Sequence, residues 1–173
     1  MARVELTDSE VDEPEVREIF NEIREKAGRV PAAYRAFSLH PHILQANWNR
    51  TKNILGKGGI SLKIKEAIAT RVSKVNDCRF CLEIHKNNLK NLGLNLTEIE
   101  SIENGEVNNE QLNLVLAFVS TATKEPHKLT DDDFTKLKEI GYKDKDIVEI
   151  LTVMEMYTGY NKIIVALNLQ PED

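Results

Sequence analysis

The 173-residue sequence contains only two cysteines, no block of lysine and arginine, and no long run of apolar residues. Its basic residues are interspersed among acidic ones, and the formal net charge is −5. Because nucleic-acid binding requires a concentrated positive surface, this distribution argues against nucleic acid as the main partner. No apolar run approaches the ~20 residues that span a bilayer, so we expect no membrane-spanning segment and no membrane partner.

The N-terminal sequence MARVELTDSEVDEPEV is acidic and lacks the apolar segment of a secretory signal. We therefore expect a cytoplasmic protein. In a reducing cytosol, a CxxC pair is more often catalytic or metal-bound than a structural cross-link. The two cysteines are consequently the first candidates for a functional site.

Strand patterns are also scarce, because no segment of alternating apolar and polar residues exceeds about four residues. Apolar residues instead recur at helical spacing along most of the chain. The length suits one compact domain with a sizeable core. We predict an all-α, single-domain helical bundle over residues 1–173, built from about eight helices.

Capping residues place several helix ends. Ser61 is expected to cap the helix that begins at the next residue, and Asp77 is a candidate N-cap for the helix after it. Thr97 and Glu100 have the spacing of a capping box. Gly159 lies inside the last helix, where glycine costs about 1 kcal/mol against alanine. A close helix–helix contact, within the chain or between subunits, would explain it.

Both cysteines lie in the segment DCRFCLEIH, residues 77–85. On a helix, Cys78, Cys81 and His85 fall within roughly 60° of one face, since each residue advances the helix by about 100°. The thiolate is the reactive form of cysteine, and His85 can accept the thiol proton. The start of a helix also favours negative charge. A nucleophile, a resolving thiol and a base are the groups required by a thiol peroxidase or a disulfide oxidoreductase.

The same residues allow two other interpretations. The cysteines could be inert small hydrophobic residues on an apolar helix face. They could also bind zinc together with His85 and a carboxylate. Structural zinc usually takes a second ligand pair from far along the chain, and the sequence contains no second CxxC pair.

Glu66 interrupts the otherwise apolar segment KIKEAIATRV. One interpretation is a solvent-facing glutamate that pairs with a nearby lysine. The other is a partly buried carboxylate that orients His85 and relays its proton. Spacing alone leaves both interpretations open.

The spacing Glu66-x11-Cys78-x2-Cys81-x3-His85 resembles the active-site signature of the alkylhydroperoxidase D-like (AhpD-like) family, within the carboxymuconolactone decarboxylase superfamily. The segments GRVPAAYRAFSLHPHILQANW and YTGYNKIIVALNL also resemble this family. The resemblance extends over about residues 14–169, with the core redox segment at about 60–93.

This resemblance implies an all-helical fold that assembles as a homo-oligomer, commonly a trimer or a hexamer. It implies that Cys81 is the peroxidatic thiol, deprotonated through His85, and that Glu66 completes the proton relay. Cys78 would be the resolving thiol, nearer the surface. The implied substrate is a hydroperoxide, and the implied electron donor is a lipoyl-type dithiol or a thioredoxin-like protein. No cofactor and no metal are implied.

One position departs from the family pattern. Phe80 stands where well-studied peroxidases of the family carry a histidine, so one member of the proton relay is missing. A carboxymuconolactone decarboxylase-like enzyme is the alternative within the superfamily, although those relatives generally lack the cysteine pair. A non-catalytic helical oligomer and a metal-binding module are the alternatives outside it.

Overall fold

The computed structural model describes residues 1–7 and 11–170, and within these ranges the chain forms helices and no strand. The prediction of an all-α fold is therefore confirmed. None of the helices in the described ranges is both long and apolar enough to cross a membrane. The described residues form nine α-helices and a short 3-10 turn at Pro126–Lys128. The helices are α1 (Pro14–Ala27), α2 (Ala32–Phe37), α3 (Pro41–Gly56), α4 (Leu62–Val75), α5 (Arg79–Asn91), α6 (Leu96–Asn104), α7 (Glu110–Lys124), α8 (Asp131–Glu139) and α9 (Asp144–Leu167).

The chain divides into two compact units. One comprises Met1–Asn53 with Ile163–Asp173, and the other comprises Ile54–Lys162. The organisation as a single domain accordingly stays a prediction. All four predicted site residues lie in the second unit.

The first unit contains α1, α2 and most of α3. Helix α1 buries Val16, Phe20 and Ile23, whose spacing of three and four residues places them on one face. In α3, the indole N–H of Trp48 donates to Oε2 of Glu22 at 2.7 Å. Trp48 is therefore buried while its indole N–H keeps a hydrogen-bond partner.

The second unit is organised around α4, which packs against α5, α6 and α7. Ser61 caps α4 as predicted, because its side chain accepts a hydrogen bond from the N–H of Ile64 at 3.4 Å. Side chains around most of the helix are buried, and they include the charged residues Lys65 and Glu66. A buried charge must find partners inside the protein, so both residues require an explanation.

Two apolar clusters hold this unit together. The first joins α4 to α7, α8 and α9, and the second joins α4 to α5, α6 and α7. Buried members of the first include Ile68, Val72, Val119, Leu137, Ile150 and Met156. Buried members of the second are Ala67, Leu89, Leu94, Ile99, Ile102 and Leu116. Because α4 belongs to both clusters, its position is fixed from several sides.

The start of α5 differs from the prediction. Its N-cap is Cys78, whose Sγ accepts a hydrogen bond from the N–H of Cys81 at 3.4 Å. Asp77 has a φ of 52° and lies in the left-handed region. An N-cap residue requires extended backbone, so Asp77 cannot take that role.

Two further expectations also need correction. The capping box of α6 is formed by Asn95 and Glu98, two residues before the pair Thr97 and Glu100. Within the described part of the chain, and apart from its chain neighbours and the backbone of its own helix, no atom lies within 4 Å of the position that a Cβ on Gly159 would occupy. The close contact expected at Gly159 is therefore absent there, and a contact between subunits stays a prediction.

Candidate active site

A tight turn connects the end of α4 to the start of α5. The N–H of Asp77 donates to the carbonyl of Lys74 at 3.2 Å, and the N–H of Cys78 donates to the carbonyl of Ser73 at 3.0 Å. These two bonds form a Schellman motif, in which Asp77 occupies the left-handed position that glycine usually takes. Cys78 is thus held by the end of one helix while it caps the next.

The two cysteines are joined in a disulfide, with a Cα–Cα distance of 5.4 Å. This distance lies within the range that the bond geometry allows. Cys78 is 1% exposed and Cys81 is 3% exposed. The expectation that Cys78 lies nearer the surface is therefore wrong, because both residues are covered in this oxidised state.

Glu66 and His85 meet in the interior between α4 and α5. Oε2 of Glu66 lies 2.8 Å from Nδ1 of His85, and the two residues are 4% and 7% exposed. The interpretation of Glu66 as a solvent-facing residue is consequently wrong. When Glu66 is ionised, Nδ1 of the imidazole carries the proton and Nε2 is left as the proton acceptor.

Two further residues support this pair and were not anticipated as site residues. Asn88 donates from Nδ2 to the same Oε2 of Glu66 at 3.1 Å. The ring of Tyr157 meets the His85 ring edge-on, with centroids 4.5 Å apart and an interplanar angle of 79°. Asn88 follows His85 by three residues and shares its helix face, which was an available signal. Tyr157 lies in α9, where local spacing could not reveal the contact.

A second polar group lies behind the turn that carries Cys78. Asn161 of α9 is 1% exposed, and its Nδ2 donates to Oγ of Ser73 at 3.2 Å. Nδ2 of Asn76 donates to Oδ1 of Asn161 at 3.0 Å. The side chain of Asn161 therefore uses both its donor and its acceptor on residues at the end of α4.

Lys65, the neighbour of Glu66, is buried for a different reason. Its ammonium donates to the carbonyl of Ile54 at 2.7 Å and to that of Lys57 at 2.6 Å, and it lies 2.7 Å from Oε1 of Glu149. Two backbone carbonyls therefore accept from the ammonium, and the carboxylate of Glu149 compensates its charge. Burial raises the pKa of the Glu149 carboxyl, but Lys65 and the N–H of Gly59 lower that pKa further, so the net shift is downward.

Phe80 is buried beside the two cysteines in the sequence. In the ranges that the structure describes, no group of three or more His, Cys, Asp or Glu residues is arranged to hold a metal ion.

A cavity of about 520 Å³ lies against α4, α6 and α7, and residues such as Ile64, Leu94 and Leu112 line it. None of the four predicted site residues belongs to its lining.

Comparison with known proteins connects this geometry to a family. Residues 41–107, which contain all four predicted site residues, match the model of the carboxymuconolactone decarboxylase family. No curated protein matches the chain.

Solved structures share the fold over nearly the whole chain. An uncharacterised peroxidase-related protein from Silicibacter sp. TM1040 is 23% identical with a TM-score of 0.89, covering 98% of this chain and 91% of its own. A peroxidase-related protein from Ralstonia eutropha JMP134, described as an alkylhydroperoxidase AhpD core, is 20% identical with a TM-score of 0.90, covering 99% and 93%. The debrominase Bmp8 in complex with 2,3,4-tribromopyrrole is 18% identical with a TM-score of 0.85, covering 98% and 93%.

Residues 41–107 thus match the carboxymuconolactone decarboxylase family, and over nearly the whole chain the fold is that of the AhpD-like peroxidase-related proteins. The family resemblance of the sequence is thereby confirmed. The proteins named in these comparisons are a decarboxylase family, peroxidase-related proteins and a debrominase.

Proposed function

We propose that the protein is a thiol-dependent oxidoreductase that reduces hydroperoxides through a Cys78–Cys81 dithiol/disulfide cycle. The observation that carries this proposal is the buried Glu66–His85 contact at 2.8 Å, one helical turn beyond a closed CxxC disulfide. A base whose orientation is fixed by a carboxylate is the device that activates a nucleophile in many enzymes. The inert-hydrophobe interpretation provides no reason for burying a carboxylate against an imidazole.

In the first step, Nε2 of His85 accepts the proton of the Cys81 thiol, and the thiolate attacks the terminal oxygen of the hydroperoxide. The O–O bond breaks, the alcohol leaves with the proton returned by His85, and Cys81 becomes a sulfenic acid. Glu66 stabilises the transient imidazolium and keeps Nδ1 protonated. Asn88 holds the same carboxylate oxygen, so Glu66 keeps its position through the proton transfer.

In the second step, the Cys78 thiol attacks the sulfenic sulfur of Cys81, water leaves, and the disulfide forms. The reaction of one hydroperoxide with two thiols thus yields one alcohol, one water and one disulfide. An external dithiol, of the lipoyl type or on a thioredoxin-like protein, then reduces the disulfide by exchange and is itself oxidised. No organic cofactor or metal takes part in this cycle.

A second candidate function is the reductive removal of bromine from a small aromatic molecule. The fold shared with Bmp8, one structure of which holds 2,3,4-tribromopyrrole, favours it as the alternative. The same dithiol would supply two electrons: the aryl bromide gains hydrogen and releases bromide, while two thiols become a disulfide. Phe80, in place of the family histidine, is compatible with a substrate other than a simple peroxide.

The experiment that tests the proposal follows the reduced protein after addition of cumene hydroperoxide or 2,3,4-tribromopyrrole. With the peroxide, intact mass should fall by two hydrogens, and one alcohol should form for each protein. Cys78→Ser should stop at a sulfenic acid, and Cys81→Ser should leave the peroxide unconsumed. Conversion of the bromopyrrole alone would replace the proposal with its alternative, and turnover by Cys81→Ser would eliminate the assigned nucleophile.

The proposed assembly is a cytoplasmic homo-oligomer, a trimer or a hexamer. Leu62, Leu92, Leu96 and Val148 of the second unit are exposed apolar side chains, which an interface between copies would cover. Sedimentation velocity should show a single species of three or six chains, and a concentration-independent monomer would contradict the assembly.

A further inference from the structure

The residue that joins α9 to the redox turn is Asn161. It is 1% exposed, and its side-chain amide bonds to Ser73 and to Asn76. A buried polar side chain requires partners, and those of Asn161 among the described residues lie at the end of α4. Both partners belong to the turn that leads directly to Cys78.

The two bonds act on defined positions of the turn. Ser73 is the residue whose carbonyl accepts the N–H of Cys78 at 3.0 Å, and its hydroxyl accepts from Asn161 at 3.2 Å. Asn76 is the C-cap of α4 and donates to Asn161 at 3.0 Å. Asn161 therefore holds both ends of the segment Ser73–Asn76 while Asp77 takes a left-handed conformation.

We infer that Asn161 is a positioning residue that fixes Cys78 opposite Cys81 and thereby sets the stability of the disulfide. In the reduced protein, the Asn161 bonds restrict the turn that carries Cys78, which keeps the two thiols close together. Without them, the reduced form gains conformational freedom, while the oxidised form stays constrained by the disulfide itself. The disulfide then becomes easier to reduce.

Tyr157 extends this role along α9. It precedes Asn161 by one helical turn, and its ring contacts the imidazole of His85. One face of α9 thus contacts the base through Tyr157 and the turn before Cys78 through Asn161. This inference takes the cysteine pair to be redox-active, as the proposed function does, but it requires no peroxide.

The test is the equilibrium between the protein disulfide and dithiothreitol, measured by thiol alkylation and mass spectrometry. Asn161→Leu keeps the side-chain size and removes both bonds, and we expect its disulfide to be about tenfold easier to reduce. Ser73→Ala removes one of the bonds and should shift the equilibrium about threefold. Asn104→Leu, at an exposed asparagine in α6, is the matched control and should not shift it.

A second readout separates positioning from general damage. The rate at which iodoacetamide alkylates Cys81 in the reduced protein should change by less than about twofold in Asn161→Leu, because His85 is untouched. If Asn161→Leu does not fold, Ser73→Ala and Asn76→Ala decide the question. Wild-type equilibrium constants in the folded variants would overturn the inference, whether or not the protein reduces hydroperoxides.

Discussion

Lys65 and Glu66 are consecutive buried charged residues on α4, and their surroundings differ in one respect. The ammonium of Lys65 donates to the carbonyls of Ile54 and Lys57 and lies 2.7 Å from Oε1 of Glu149, so its charge is compensated. Glu66 binds an imidazole that has two ring nitrogens. Nδ1 of His85 contacts the carboxylate, and Nε2 remains for another hydrogen-bond partner.

The difference indicates how a structural charge can be distinguished from a functional one. The ion pair of Lys65 with Glu149 connects α4 to α9, and we assign it a structural role. The Glu66–His85 pair ends in a base that follows Cys81 by one helical turn on α5. Mutations at the two neighbours should therefore separate stability from reactivity.

The largest expected effect is on stability, at Lys65. Lys65→Met should cost about 3–5 kcal/mol, because it leaves the Glu149 carboxylate without its cation in a largely buried site. Urea denaturation measures the loss, and the rate of thiol oxidation per folded molecule should stay the same. Lys63→Met, at an exposed lysine two residues before Lys65 on α4, is the control, and its effect on the free energy of unfolding should be near zero. A stable Lys65→Met protein would remove the structural role.

Glu66→Gln should show the converse pattern. The rate of peroxide reduction should fall about a hundredfold, because the amide no longer stabilises an imidazolium or fixes the histidine tautomer. The thermal midpoint should move little, since glutamine keeps the shape of the side chain. Stopped-flow thiol loss measures the rate, with Glu100→Gln at an exposed position as the control. An unchanged rate in Glu66→Gln would refute the relay.

The pH dependence of stability should show the contribution of the Lys65–Glu149 ion pair. The pKa of the Glu149 carboxyl in the folded protein lies below its ordinary value of 4.5. Its contribution is therefore fully present above about pH 4.5 and is lost as the pH falls through the lower folded pKa. Urea midpoints measured from pH 7 downward should decline more steeply in the wild type than in Glu149→Gln. Parallel declines would show that the ion pair does not contribute.

The smallest effect on stability is expected at Asp77, in the turn between α4 and α5. Asp77→Gly should stabilise the protein by at most about 1 kcal/mol, since glycine adopts the left-handed conformation without strain. The gain is partly offset by the greater freedom of glycine in the unfolded chain. The thermal midpoint measures the change, and a loss of stability would indicate that the Asp77 side chain contributes an interaction of its own.

Local pattern was sufficient to predict the helices and part of the site. Apolar periodicity predicted the all-α fold, and the shared helix face predicted that Cys78 and Cys81 approach each other. Asp77 was misassigned because N-cap preference favours aspartate, whereas the end of α4 requires a left-handed residue there. That requirement depends on the Ser73 and Lys74 carbonyls and is not visible in residue type.

Contacts between distant segments could not be predicted from the pattern of neighbouring residues in the sequence. Asn161 and Glu149 both act on the ends of α4 from α9, and their partners depend on how the helices pack. The burial of Glu66 could not be decided from spacing, because a glutamate in an apolar helix can face either solvent or a partner. Only the position of α5 against α4 decides it.

The central claim is that the fold activates Cys81 for reaction with a hydroperoxide. The most direct test is a stopped-flow comparison of thiol loss in the reduced folded protein and in the same protein unfolded in urea. The account predicts rapid loss of two thiols per peroxide in the folded protein, far faster than in the unfolded chain. Equal rates in the two states would contradict it.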